Sequence, residues 1–72
     1  MKDLIAYIAK GLVNEPDEVE VTEVGTGAYE LRVGDDDRGK VIGRKGRTAH
    51  AIRSLLAAVS DDDTPPSLEI LD

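Results

Sequence analysis

The chain has 72 residues, no cysteine, and a formal net charge of −6 from nine Lys and Arg against fifteen Asp and Glu. A chain of this length buries about 60% of the surface its unfolded form exposes, so it holds one small core and has no room for a deep multi-residue cleft. Disulfides and thiolate metal sites are excluded, and no apolar run approaches the roughly 20 residues a membrane helix needs.

A first helix is expected over Asp3–Val13. Leu4, Ile5, Ile8, Ala9 and Leu12 recur at helical spacing and form one apolar stripe. The stripe is core first and a self-association surface second, because a short chain gains from extra burial. Pro16 disfavours helical geometry at Glu15, so Asn14–Asp17 ends the helix. From Val19 to Val24, Val19 and Val21 alternate with Glu18, Glu20 and Thr22 as in a half-buried strand. Val24 breaks the pattern and marks a bulge or a strand end. Gly25-Thr26-Gly27 is a turn, and Tyr29, Leu31 and Val33 then alternate with Glu30 and Arg32, completing an antiparallel hairpin.

Gly34 closes the second strand. Asp36 or Asp37 is placed to N-cap a short helix running to about Ile42, with Gly39 a close-packing position inside it. Gly43–Gly46 is a turn. A long helix over Arg47–Val59 follows, with Ile52, Leu55, Leu56 and Val59 on its apolar face and Thr48 or Ala49 one turn earlier. Ser60–Pro66 is a loop carrying the solvated Asp61-Asp62-Asp63, and Leu68 and Ile70 alternate with Ser67 and Glu69 in a short last strand. The order α-β-β-α-turn-α-β implies an α+β fold in a single domain over residues 1–72. Three helices would pack on one face of a three-stranded mixed sheet, the last strand parallel to a neighbour through a right-handed crossover.

Charge is distributed unevenly along this order. Six of the nine cations lie between Arg38 and Arg53, and no acid occurs from Arg38 through Ser60. Salt screens charges beyond about 8–10 Å, so a local basic face acts despite the negative total. Gly43 and Gly46 stand three apart with Arg44 and Lys45 between them, a tight turn that a backbone phosphate can approach closely. Gly34-Asp35-Asp36-Asp37-Arg38-Gly39-Lys40 matches the first seven positions of a Walker A loop. Val41 then stands where Mg²⁺ requires Ser or Thr, and three acids line the would-be cradle, so nucleotide hydrolysis is set aside. His50 has no triad or ligand partners, neither Asp triplet has metal-ligand geometry, and no nucleophile–base pair is present; no enzyme, metal or cofactor is expected.

Val41-Ile42-Gly43-Arg44-Lys45-Gly46 before an amphipathic helix resembles the KH domain, whose signature is an aliphatic-Ile-Gly-x-x-Gly turn between two helices. The element order resembles the type II arrangement. The run from Gly39 to Arg53, the total length and the Asn14-Glu15-Pro16-Asp17 turn are similar to the small bacterial single-domain KH proteins of the KhpA family. That resemblance implies a non-enzymatic, cytoplasmic, single-stranded RNA-binding protein, an RNA chaperone or post-transcriptional regulator.

Carried over residue by residue, the resemblance implies an RNA-binding set of Lys40, Val41, Ile42, Gly43, Arg44, Lys45, Gly46, Arg47 and Arg53. The turn would hold the backbone of about four nucleotides, with N–H groups at the start of the long helix facing a phosphate. Val41 and Ile42 would wall an apolar base groove, with Tyr29, Leu31 or Val33 on its sheet side. Arg47 and Arg53 lie six apart and face different sides of a helix, so one is either a contact or a solvated charge; Lys40 is open in the same way. Only Tyr7 and Tyr29 are aromatic, so binding is expected to be weak and of low specificity. Ala49 and Arg38 depart from the family pattern, which has a larger aliphatic and an apolar residue there. The resemblance also implies a homodimer, or a heterodimer with a larger protein of the KhpB, EloR or Jag type, which joins a KH domain to a second nucleic-acid-binding domain. In that alternative the chain is first a protein-interaction module serving cell elongation and division.

Overall fold

Ile5 and Ala9, four residues apart, point to one side of the first helix and into the core. This helix, α1, spans Lys2–Leu12 in the computed structural model, which describes residues 1–60 and 65–71. Leu4 and Ile8 pack against the core from its flanks. Val13 turns extended, although its N–H still reaches the Ala9 carbonyl at 3.2 Å. A single 3-10 turn at Pro16–Glu18 hands the chain to the sheet, as the proline dictates.

Strands β1 (Glu20–Gly25) and β2 (Ala28–Arg32) pair antiparallel, with Val21 opposite Leu31. The register slips between Glu23 and Gly25, a bulge that leaves Val24 exposed where the alternation broke. A 3-10 turn at Asp35–Asp37 leads into α2 (Arg38–Ile42), a tight turn at Arg44–Gly46 and α3 (Arg47–Val59). Strand β3 (Ser67–Ile70) returns parallel to β2, with Leu68 opposite Tyr29. The strand order is β1-β2-β3. The expected α+β fold, α-β-β-α-α-β on a mixed three-stranded sheet, is the one formed.

Alternation decides which sheet face is covered. Val21, Tyr29, Leu31 and Leu68 join Ile5, Ala9, Val41, Ile52 and Leu56 in one core. Glu20, Thr22, Arg32, Ser67 and Glu69 are exposed on the opposite face. No helix among the described residues is long and apolar enough to cross a membrane.

Three sequence expectations are corrected here. The apolar face of α3 is narrower than its composition suggests: Ala49, Ile52 and Leu56 are buried, while Leu55 and Val59 remain 43% and 48% exposed. Leu55 lies about 100° round the helix from Leu56, which takes it off the seam with the sheet. Gly39 is exposed, with nothing within 4 Å of where a Cβ would stand, so it lies on the open side of α2 rather than at a close approach. Asp37 occupies the N-cap position of α2 but makes no side-chain capping hydrogen bond; its carboxylate points elsewhere. The acidic stretch Asp61–Asp63 lies outside the described residues.

Candidate nucleic-acid interface

The turn between α2 and α3 is built by backbone angles. Gly43 ends α2, its N–H donating to the Gly39 carbonyl at 2.8 Å, and takes φ 78°. A side chain there would collide with Thr48, both its hydroxyl side and its amide nitrogen, so glycine is required by angle and by space. Gly46 takes φ 74° with open space beyond its Cα, and its N–H closes the turn onto the Gly43 carbonyl at 3.1 Å. Between them Lys45 sits at φ 57° and ψ 24°, a left-handed conformation that costs an L-residue about 1–2 kcal/mol.

This geometry presents charge outward. Arg44, Lys45 and Arg47 are exposed and make no hydrogen bond or ion pair with any described residue. No side chain caps α3, whose N-cap is Gly46, so the positive end of the helix dipole opens onto the same space. A backbone anion is the chemical partner such an arrangement suits.

The other predicted site residues are placed differently. Lys40 Nζ lies 3.1 Å from Asp37 Oδ1, with the lysine side chain 42% exposed and the aspartate 2%. Arg53 donates from Nε and Nη2 to the Leu68 carbonyl at 3.2 and 3.1 Å. The N–H groups of Ser67 and Leu71 point toward β2, so the Leu68 carbonyl faces the outer edge, which Arg53 covers. Val41 is fully buried in the core and Ile42 half-buried, leaving Ile42 as the aliphatic side chain nearest the turn's surface. Tyr29, Leu31 and Val33 cannot form a sheet-edge wall. They are buried on and just after the central strand, and the edge beside α3 belongs to β3.

Two residues have roles around α2 that sequence reasoning did not find. Thr48 packs against Gly43 and keeps the first glycine in place. Asp37, 1% exposed, accepts the Glu15 N–H at 3.0 Å and so ties the connection after α1 to the start of α2. Burial pushes its carboxyl up, but the Asn14 and Glu15 amides and Lys40 together outweigh that, holding it below the ordinary 3.8. An acid three residues before a lysine was visible in the sequence; its partner 22 residues back was not.

A cavity of about 720 Å³ lies elsewhere and is lined by Glu15, Asp17, Glu18, Glu20, Asp35 and Asp36 with Arg32, a poor surface for phosphate. The Walker A resemblance also fails in space, because the Glu18 carboxylate lies against Gly34. Among the described residues no group of three or more His, Cys, Asp or Glu could hold a metal.

An α-β-β-α-α-β chain with a glycine-bounded basic turn joining its second and third helices is a type II KH domain. The family model for the KhpA/KhpB KH domain matches residues 2–70, and the chain belongs to that non-enzymatic KH-domain family. The RNA-binding protein KhpA of Chlamydia trachomatis serovar D is 51% identical, the match covering 100% of this chain and 97% of that protein. The RNA-binding protein KhpA of Treponema pallidum is 48% identical over 99% of this chain and 94% of its own. That of Halalkalibacterium halodurans is 46% identical over 100% of both. No solved structure matches the chain significantly.

Proposed function

We propose that this chain is a single-stranded RNA-binding protein of the KhpA type, acting in the cytoplasm as an RNA chaperone or post-transcriptional regulator. One observation carries the proposal: Arg44, Lys45 and Arg47 stand exposed and unpaired among the described residues, on a left-handed turn at the start of α3. The relatives' name, RNA-binding protein KhpA, supports it. An RNA phosphate sits against the open space at Gly46, where backbone amides and the helix dipole favour an anion. Arg44, Lys45 and Arg47 neutralise it and its neighbours. Gly43 allows the turn, Ile42 lies beside the bases, Val41 holds α2 to the core beneath, and Lys40 and Arg53 stand at the margins. With no aromatic side chain at this surface, affinity comes from the sugar-phosphate backbone rather than from stacking.

The test is the Arg44→Asp, Lys45→Asp double variant. Both side chains are exposed, so the thermal melt is expected to be unchanged. Binding to a mixed pool of single-stranded RNA is expected to fall about 100-fold, and wild-type binding should weaken with a log–log salt slope of about −0.7 per neutralised phosphate. A folded double variant that binds as the wild type does would overturn the proposal.

A second reading is favoured by one observation. Leu55 and Val59, one turn apart on α3, are 43% and 48% exposed and form a small apolar patch. On this reading the chain is a protein-interaction module, pairing with itself or with a KhpB, EloR or Jag-type partner in control of cell elongation and division. Size-exclusion with and without RNA separates the two: a tight dimer indifferent to RNA favours docking, an RNA-dependent shift favours the first reading.

A further inference from the structure

We infer, on the RNA-binding reading of the turn, that Asp37 sets the strength of the RNA contact by holding Lys40 out of it. Lys40 lies in the last turn of α2, three residues before Gly43, and so at the foot of the basic turn. Of the four cations Lys40, Arg44, Lys45 and Arg47, it is the one already matched to an anion, at 3.1 Å. A carboxylate and a phosphate oxygen compete for an ammonium by the same charge-assisted hydrogen bond. Asp37 therefore takes the hydrogen bond that Lys40 would otherwise offer a phosphate.

The two partners are held very differently. Asp37 is 1% exposed, and Oδ2 accepts the Glu15 N–H at 3.0 Å. Burial opposes its ionisation, and the amides of Asn14 and Glu15 together with Lys40 outweigh it, holding its carboxyl below the ordinary range. Lys40 has a long side chain, 42% exposed, and Asp37 is the one partner it has among the described residues. The anion is fixed and the cation can leave. A pair serving only to brace α2 would be an i,i+3 contact of small worth, and RNA binding would not respond to it.

The test is the salt slope of binding to a labelled single strand of about twelve uridines, between about 0.05 and 0.3 M salt. Arg44→Gln is expected to make the slope shallower by about 0.7, and Lys40→Gln by less than half of that. Asp37→Asn keeps the side chain's size and one oxygen for the Glu15 N–H. It is expected to steepen the slope by about 0.7 and tighten binding about fivefold at 0.1 M salt. In the Lys40→Gln background the same substitution should have less than half of that effect.

Two results would overturn the inference. One is a Lys40→Gln loss equal to that of Arg44→Gln, which places Lys40 on the RNA already. The other is an equal gain from Asp37→Asn with and without Lys40, which makes it a general effect of charge. Should Asp37→Asn fail to fold, the comparison of Lys40→Gln with Arg44→Gln decides alone. Failure of the wild type to bind, or no change with Arg44→Gln, removes the RNA-binding reading itself and this inference with it.

Discussion

Lys45 holds a left-handed backbone at φ 57° and ψ 24°, a conformation that Gly46 shares at φ 74° and ψ 15°, while Gly43 combines φ 78° with an extended ψ of 168°. A lysine is retained there although glycine would relieve about 1 kcal/mol. Lys45→Gly is therefore expected to raise the urea midpoint while weakening RNA binding several-fold, about the effect of losing one phosphate contact. Stability and affinity moving in opposite directions is the diagnostic outcome; a fall in both would mean the turn depends on the lysine side chain for its shape. The glycines, and the cations between them, were legible because glycine is the residue for such angles. Thr48 was not. Its contact with Gly43 exists only once Gly43 has turned, and before that it is one more helical residue. Asp37 was misread for a related reason. An acid before a short helix is the usual N-cap, but here the carboxylate is claimed by an amide of Glu15 that only the fold brings near.

At the scale of elements, the extent of α3 was readable, since Gly46 precedes it and the apolar period runs to Val59. Its orientation was not. Periodicity says that a helix has a buried face but not how wide the surface beneath it is, and a three-stranded sheet left Leu55 and Val59 outside. Strand order was hidden in the same way. The alternation of Tyr29, Leu31 and Val33 is the same for a central strand as for an edge strand, and only the pairing of β3 with β2 makes β2 central. Arg53 belongs to this scale, because it bonds α3 to a carbonyl on the open edge of β3. Arg53→Met keeps the aliphatic stem and removes both hydrogen bonds. A loss of about 1 kcal/mol is expected, and amide exchange should rise in Ser67–Ile70 before it rises in β1. Uniform exchange across the sheet would show that the arginine does not anchor that strand.

Over the whole molecule, charge is sorted by side: an acid-lined cavity between α1's exit and β2's end, and a basic turn beyond α2. Asp37 joins the two regions and makes stability depend on acid. Burial opposes its ionisation, but the Asn14 and Glu15 amides and Lys40 hold its folded pKa below the ordinary 3.8. Its contribution is thus complete above that value and is lost as pH falls through it toward the lower folded one. The acid limb of a stability–pH curve, below about pH 4, is expected to be shallower in Asp37→Asn than in the wild type. Identical limbs would show that other carboxylates govern acid unfolding. The turn beyond α2 has a consequence in time as well. Three of its four residues already hold positive φ, and Gly43 is already seated on Thr48. The ordering that a floppy loop would undergo on meeting a strand has been completed when the chain folds. On the proposed RNA-binding reading, encounter is then limited by how fast opposite charges find each other, so an RNA strand is expected to arrive quickly and in a salt-sensitive way. On the same reading, with so few apolar contacts to hold the bases, departure is expected to be quick too, so that the turn would sample many strands briefly rather than one for long.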